Sequence, residues 1–531
     1  MNDSLGEYGS VTKRILMVAA ENDALPNAKV GGIGDVVRDI PLALAEQDCH
    51  VQVVLPDYGH FAVMPGAELC GQYQLRFAGT TERVELYRLQ STSHQHQNVT
   101  YWGLGHRRFS PCGDGSVYCN DEDNRPFATD ASKYAFFCAA VGQVIVNNGF
   151  GELDVVHLHD WHAALLLVLR EYDPTLASLK NIHTTYTIHN LSLQGVRPFK
   201  GDDSSFEAWF PELDYSPHLI CDTRAVHCLN PMRAGINLAN KVHAVSPTYA
   251  TEITRKSDVG QGVYGGEGLE NDLIMAREQG RLVGILNGCE YPENASYTKV
   301  AKTRLAPALE NALLGWASKS TQLLSCHWLA EKRLQRWATK KDRGMLITSV
   351  GRITGQKVRL LFSTLADGQT VLQHILDELG DKGMFIFLGS GNEQYQRQLL
   401  ALAGANANFI YLQGYSTGVS DLLYNSGDLF LMPSSFEPCG ISQMLAMRAG
   451  QPCLVHSVGG LNDTVEDGVT GYCFNGATIM EQSENLIATF KRALQNYKKH
   501  PTKHAALAKK ASAQRFLWSA AAQEYLTQLY R

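Results

Sequence analysis

Long apolar runs, a surplus of basic charge and metal-type cysteine spacing are all missing from this 531-residue chain. No stretch approaches the ~18 consecutive apolar residues that cross a bilayer as a helix, so neither a membrane-spanning segment nor a membrane partner is expected. The opening residues, Met1-Asn-Asp-Ser-Leu-Gly-Glu7, are acidic and polar where a signal peptide is basic and then apolar. The expected location is therefore the cytoplasm. Lys and Arg number 47 against 53 Asp and Glu, a formal net charge of −6. Proteins that grip a phosphate backbone cluster positive charge, so nucleic acid is not an expected partner. The one basic run, 498–503 with Lys509 and Lys510 behind it, reads as a solvated loop and helix face. Twelve cysteines occur without any C-x-x-C spacing, which indicates neither a zinc ribbon nor a redox pair. In a reducing compartment they read as small buried apolar residues. Cys439 stands apart from these, because it lies between Glu437 and Gly440.

What is present is the composition of an ordinary globular protein, 44% apolar and 19% charged. At ~150 residues per domain the length suggests three or four average domains. Strand-like and helix-like patterns alternate along most of the chain, which predicts parallel sheets built from βαβ crossovers. The first series has strands at 14–20, 51–55, 153–158, 184–189 and 241–246, with helices at 35–47 and 161–170. A second series begins near Met345, with strands at 345–350, 384–388, 409–412, 428–432 and 452–455. Two doubly wound halves describe this better than one large sheet. Residues 291–341 are helical in flavour and open the second half, and 502–531 read as one or two amphipathic helices. Residues 60–130 give no clear pattern; the two histidines of the 91–97 stretch, His94 and His96, resemble a turn more than a metal site.

The chemistry-bearing residues sit where strands hand over to helices. In an open α/β sheet that is the edge at which ligands bind, and helix-start amides hold phosphate. The run Ser434-Ser-Phe-Glu437-Pro-Cys-Gly440 places a carboxylate at a strand's carboxyl end beside a glycine. Gly459-Gly460-Leu461-Asn-Asp-Thr464 is a second glycine-rich turn of the same kind. One acid beside two phosphate cradles suggests sugar-nucleotide chemistry. Gly351-Arg352-Ile-Thr-Gly-Gln-Lys357 leaves another strand; an arginine fork and a lysine point charge five residues apart suit a diphosphate, although two solvated cations is the default for such a pair alone. Tyr415 offers a ring on which a base could stack, or is a plain surface tyrosine.

In the first half, Lys29-Val-Gly-Gly32-Ile-Gly-Asp35 follows the opening strand but fails the dinucleotide spacing G-x-G-x-x-G. Backbone approach to a phosphorylated ligand and a structural turn with Asp35 as helix N-cap are equally weighted there. Asp160 suits hydrogen bonds to ligand hydroxyls, with an N-cap the stronger reading in isolation. His189 ends a third strand, where a single histidine is more often structural. Three polar strand ends on one sheet edge shift that balance.

Taken together, in this order, these motifs resemble the bacterial glycogen synthases and plant starch synthases. The resemblance is carried by Lys29-Val-Gly-Gly-Ile-Gly-Asp-Val, His159-Asp-Trp-His-Ala, Thr187-Ile-His-Asn, Val245-Ser-Pro-Thr-Tyr-Ala, Gly284-Ile-Leu-Asn-Gly, Gly351-Arg-Ile-Thr-Gly-Gln-Lys, Glu437-Pro-Cys-Gly and Gly459-Gly-Leu-Asn-Asp-Thr-Val. It implies an α/β enzyme of two Rossmann-like doubly wound domains facing a cleft (GT-B type). The implied division is 13–286 for the N-terminal acceptor domain, completed by helices at 505–531, and 287–504 for the nucleotide-sugar donor domain. The implied reaction moves glucose from ADP-glucose to the non-reducing end of an α-1,4-glucan with retention, needing no metal and no cofactor. Arg352 and Lys357 would stabilise the departing ADP, and Glu437 would bind the donor glucose. Gly440, Gly459, Gly460, Leu461 and Thr464 would serve sugar and phosphate, and Tyr415 would pack near the adenine. Lys29, Gly32, Asp35, Asp160, His189 and Asn287 would line the donor and acceptor side.

The chain also departs from that pattern. Asn287-Gly288 is followed by Cys289-Glu290-Tyr-Pro with no tryptophan, Val358 replaces a glycine after Lys357, and 196–230 diverges. Leu445 stands where some related transferases carry a second glutamate, so no carboxylate for a double displacement is evident. The alternatives are a same-fold transferase using a UDP-sugar or making another glycan, and a nucleotide-sugar or glucan binding protein without turnover. A nicotinamide oxidoreductase lacks its fingerprint. Oligomeric state has no signature in the chain.

Overall fold

The computed structural model describes residues 12–91, 95–291, 299–318 and 324–531. His94 and most of the departure after Gly288 lie outside these. Two sheets carry the fold. The first is built from β1 (Arg14–Val18), β2 (His50–Pro56), β3 (Glu68–Phe77), β4 (Thr80–Leu89), β5 (Val99–Gly105), β6 (Val155–His159) and β7 (His183–Ile188). After a two-stranded ribbon of β8 (Arg197–Pro198) and β9 (Cys228–Leu229), it takes in β10 (Lys241–Ala244) and β11 (Leu282–Gly284). Its order is β11-β10-β7-β6-β1-β2-β5-β4-β3, parallel from β11 to β5 and closed by the antiparallel strands β4 and β3. The second sheet is parallel throughout. It uses β12 (Leu346–Val350), β13 (Met384–Gly389), β14 (Phe409–Gln413), β15 (Leu429–Met432), β16 (Cys453–His456) and β17 (Gly471–Phe474), in the order β14-β13-β12-β15-β16-β17.

The strands explain themselves by what they bury. In β1, Ile15 and Met17 enter one core while Leu16 and Val18 enter the other, the period-two alternation of a strand covered on both faces. β13 is buried along its whole length. Helix Gly32–Ala45 packs on one face of the first sheet together with the C-terminal helix Trp518–Glu524. There Trp518 donates its indole N–H to Asp39 at 3.0 Å, and the Tyr530 hydroxyl meets His157 Nδ1 at 2.7 Å. The chain's end is thus sewn into the first lobe.

The strand orders decide where ligands can reach. The chain leaves β1 for β2 on one side and later returns to place β6 on the other. In the same way β12 has β13 on one side and β15 on the other. Each sheet therefore has one point where the winding reverses and the two loops leaving the strands part, opening a crevice at the carboxyl ends.

The pattern at 60–130 resolves into β3, β4 and β5. β3 is a sheet edge whose first half is exposed; only over 72–77 does it alternate, Tyr73, Leu75 and Phe77 turning to the core. Within that region Cys112 and Cys119 form a disulfide, which corrects the expectation that no cysteine pair is bonded. The chain turns back at 113–116, and the two thiols meet at a spacing wider than C-x-x-C. Of the ten free cysteines, Cys49, Cys138, Cys289, Cys326, Cys439 and Cys453 are buried. No helix of the described residues is long and apolar enough to cross a membrane.

Candidate active site

The loops leaving β12 and β15 flank the reversal point of the second sheet, and they bring Lys357 and Glu437 together. The Lys357 ammonium donates to the Glu437 carboxylate, which also accepts from the Ser434 hydroxyl at 3.0 Å. Glu437 is buried, whereas Lys357 keeps about a fifth of its side chain in solvent (21%). Gln356 staples the two loops: its side chain donates to the Phe436 carbonyl at 2.9 Å, and its own carbonyl accepts from the Ser435 amide at 2.8 Å. Arg352 leaves the same strand end exposed, and its guanidinium has no partner among the described residues. An ion pair beside an uncommitted guanidinium at a crevice mouth is a receptor for an anion with several oxygens.

The glycines are required by close approach. A Cβ on Gly459 (φ +44°) would lie 1.9 Å from the Glu437 carbonyl oxygen, and one on Gly460 would lie 2.2 Å from that of Cys439. The β16 loop therefore packs backbone to backbone against the Glu437 loop. The structure differs here from the simplest cradle. The Gly460 amide already donates to Glu437 O at 3.0 Å, and the Leu461 amide to Val458 O at 3.1 Å. Thr464 bonds back to the Gly460 carbonyl at 2.7 Å. Only the Gly459 amide is held by a side chain, Glu252. Tyr415 lies apart at the end of the edge strand β14, with 65% of its surface exposed. Its carbonyl is pinned by the Trp316 indole N–H at 3.0 Å.

In the first sheet, the loop after β1 and the start of the helix after β6 flank the other reversal point. Lys29 lies between Asp23 at 3.0 Å and Asp35 at 2.6 Å. Burial lowers its pKa, but the two carboxylates outweigh that and the net shift is upward. Asp35 is not an N-cap: helix Gly32–Ala45 begins after Gly31, and no side chain caps it. The buried Glu21 instead ties down the residues ahead of the helix, accepting from the Val30 amide at 2.8 Å, the Gly31 amide at 2.5 Å and the Tyr118 hydroxyl at 2.6 Å. Nor does Asp160 cap its helix. It is the first helical residue, with left-handed φ of +54°, and its carboxylate receives the His189 amide at 2.7 Å. Burial pushes that carboxyl up to about 8, against the pull of the amides. His189 meets His159 Nδ1 through Nε2 at 2.9 Å. Burial and that neighbour hold His189 well below its ordinary pKa, so it is neutral.

The two groups face each other through a short set of bridges. The Ser246 hydroxyl, past β10, donates to the Pro438 carbonyl at 2.6 Å. Tyr249 accepts from the Leu191 amide at 3.0 Å and lies 6.4 Å, ring to ring, from Phe436. The Asn287 side-chain oxygen, just past β11, is buried without a partner among the described residues. The sequence reading missed Glu21, Tyr118, Glu252 and Trp316. Tyr118, Glu252 and Trp316 act on segments distant in sequence, and Glu21 acts on Val30 and Gly31 nine and ten residues on. No group of three or more His, Cys, Asp or Glu among the described residues is placed to hold a metal ion.

Asp160 yields a pH prediction. Its folded value of about 8 lies above the unfolded 3.8. Between the two, only the folded state keeps the proton, so stability falls as pH rises through that window. In Asp160→Asn this contribution vanishes, and the fall of melting temperature from pH 5 to pH 8 becomes shallower. An unchanged slope would show that Asp160 is ionised in the fold.

Comparison with known proteins gives a consistent picture. The starch synthase catalytic domain model matches residues 14–275, and the glycosyl transferases group 1 model matches 332–511. A glycogen synthase of Clostridioides difficile is 31% identical over 466 residues, covering 85% of each chain. One of Streptococcus gordonii is 30% identical, covering 96% of this chain and 98% of that one. Among solved structures, the catalytic domain of Starch Synthase IV from Arabidopsis thaliana, bound to ADP and acarbose, superposes with a TM-score of 0.74 at 25% identity. That match covers 98% of this chain and 99% of the other. A sucrose-phosphate synthase of Thermosynechococcus elongatus shares the fold at 15% identity and a TM-score of 0.55.

Proposed function

We propose, from the premise that this chain belongs to the family of bacterial glycogen synthases and plant starch synthases, that it takes glucose from ADP-glucose and adds it to the non-reducing end of an α-1,4-glucan. Glucosyl transfer in glycogen or starch synthesis is the family's activity, and the chain is a glycosyltransferase of that class. The observation that carries the reading is the Lys357–Glu437 pair at the reversal point of the second sheet, with Arg352 free beside it. In this reading the lobe 287–504 takes the donor. Lobe 13–286, completed by 505–531, offers the acceptor.

When the nucleotide diphosphate arrives, Lys357 turns from Glu437 to the phosphoryl oxygens and Arg352 closes on them with its planar fork. The two cations then lie where negative charge grows as the sugar–phosphate bond breaks, and a preorganised donor of this kind contributes about 3–4 kcal/mol. Glu437, freed of its partner, accepts from hydroxyls of the glucose, and Tyr415 stacks on the base. Asp160, neutral at pH 7 by burial, offers both a donor and an acceptor to the sugar across the cleft. His189 is a neutral hydrogen-bonding group rather than a charge.

Parallel reactions with radiolabelled ADP-glucose and UDP-glucose, glycogen being the acceptor, test the reading. Label is expected in the polymer chiefly from ADP-glucose. Preferential labelling from UDP-glucose would replace the donor assignment, and labelling from neither would leave a nucleotide-sugar binding protein.

A further inference from the structure

Strands β6 and β7 pair in parallel, with His157 opposite Thr185 and His159 opposite Thr187. Side chains two apart share a face of a strand, so both histidines stand on one side of the sheet with Thr185, Thr187 and His189. Each histidine bonds two residues beyond its register partner. His157 Nε2 lies 2.6 Å from the Thr187 hydroxyl, and His159 Nδ1 lies 2.9 Å from His189 Nε2. The rings of His157 and His159 stack with centroids 4.4 Å apart, and the Tyr530 hydroxyl holds the other nitrogen of His157. The stack fixes the plane of His159.

The end of β6 grips His189 twice, through its backbone amide by Asp160 and through its ring by His159. The second ring nitrogen of His189, Nδ1, has no partner among the described residues and is not sealed from solvent. His159 Nε2 also has no partner among them, but it is sealed. Burial keeps both rings neutral, so each carries one proton and a single proton lies between them. Two arrangements satisfy that count. If His189 donates, the proton of His159 sits on Nε2 as a buried N–H with nothing to receive it. If His159 donates, its Nε2 is a bare acceptor and the proton of His189 sits on Nδ1. An orphaned buried N–H is the rarer fault in folded proteins, which favours the second arrangement.

We propose that His159 is a positioning residue for the transfer: it donates Nδ1–H to His189 Nε2 and so leaves His189 a fixed Nδ1–H donor for a sugar hydroxyl. This rests on the transferase reading above. Which nitrogen of an imidazole carries the proton is set by the bond the other nitrogen makes. A hydroxyl turns freely to donate or accept, whereas a ring of fixed tautomer offers it one choice. The hydroxyl accepts from His189 and points its own hydrogen elsewhere. A side chain that never touches the sugar thus orders the sugar's hydrogen bond. Without His159 the proton of His189 exchanges to Nε2, and the donor at Nδ1 becomes an acceptor.

Nuclear magnetic resonance of the full chain, isotopically labelled in its histidine nitrogens, reads the tautomer directly. The His189 signals are identified by their loss in His189→Gln. In wild type, Nδ1 is expected at the protonated position and Nε2 at the unprotonated one. The reverse pattern would overturn the proposal without any variant of His159 having to fold. His159→Leu removes the donor, and is expected to move the His189 proton to Nε2 and to lower kcat/KM for ADP-glucose about 10-fold. His159→Gln again offers an N–H to His189 Nε2, and is expected to return the proton to Nδ1 and restore most of the transfer. A His159→Leu protein with tautomer and transfer both unmoved, or a His159→Gln protein as slow as His159→Leu, would contradict the assignment. Wild type that transfers no glucose would instead overturn the transferase reading, while the tautomer of His189 still decides what His159 does.

Discussion

Arg352→Ala is expected to slow glucosyl transfer by about 100- to 1,000-fold while leaving the melting temperature where it was. The two halves of that result have separate causes. The guanidinium is exposed and has no partner among the described residues, and an exposed substitution of this sort shifts stability by less than ~0.5 kcal/mol. Its value lies in the transition state, where the diphosphate gains charge as glucose departs. A loss confined to KM would mean that Arg352 binds donor and transition state equally. A rate within twofold of wild type would remove it from the site.

Glu437→Gln should be the more damaging change, about 1,000-fold in kcat, and it should also cost stability. The carboxylate is buried and serves both Lys357 and Ser434. The amide fills the same volume, yet it leaves the lysine's charge without a counter-ion in a part-buried site. Lys357 keeps some solvent, which limits the penalty to about 1–3 kcal/mol. Glu437→Ala opens a cavity as well and should melt lower still. Product formation unchanged in either variant would show that the sugar sits elsewhere. Combining Lys357→Ala with Glu437→Gln restores charge balance, so the double variant is expected to recover stability without recovering turnover.

Much of this arrangement could be read from the residues before any coordinates. The buried parallel strands announce themselves as short apolar runs between glycine-rich turns, and β1, β6, β12, β13 and β15 fall where the pattern puts them. Their loops carry Lys29, Asp160, Arg352 and Glu437, so the strand ends were legible as well. The edge hairpin of β3 and β4 was not. In β3 the alternation is confined to 72–77 and its first half is exposed, and β11 and β17, of three and four residues, are too short to show a period.

The finer geometry was hidden for a different reason. Asp35 and Asp160 each sit at a helix start, where sequence offers an N-cap, but neither fills that role. The helix after Gly31 has no side-chain cap, Glu21 binding the amides just ahead of it, while Asp160 turns to the strand beside it. Such choices depend on which chain segment lies across the turn. Gly459 and Glu252 are 207 residues apart, and nothing local in either marks the pair. Lys29, expected to line the donor and acceptor side, is held in the fold by two carboxylates. The second lobe was the more legible because its ionic partners, Lys357 and Glu437, belong to the two loops that adjacent strands must bring together.

Calorimetric titration of ADP into wild type and into the double variant Arg352→Ala, Lys357→Ala measures the central claim directly. The account predicts saturable binding by wild type and affinity weaker by at least about 100-fold in the double variant, with circular dichroism unchanged. Equal affinities in the two proteins would contradict it, placing the diphosphate away from the β12–β15 crevice.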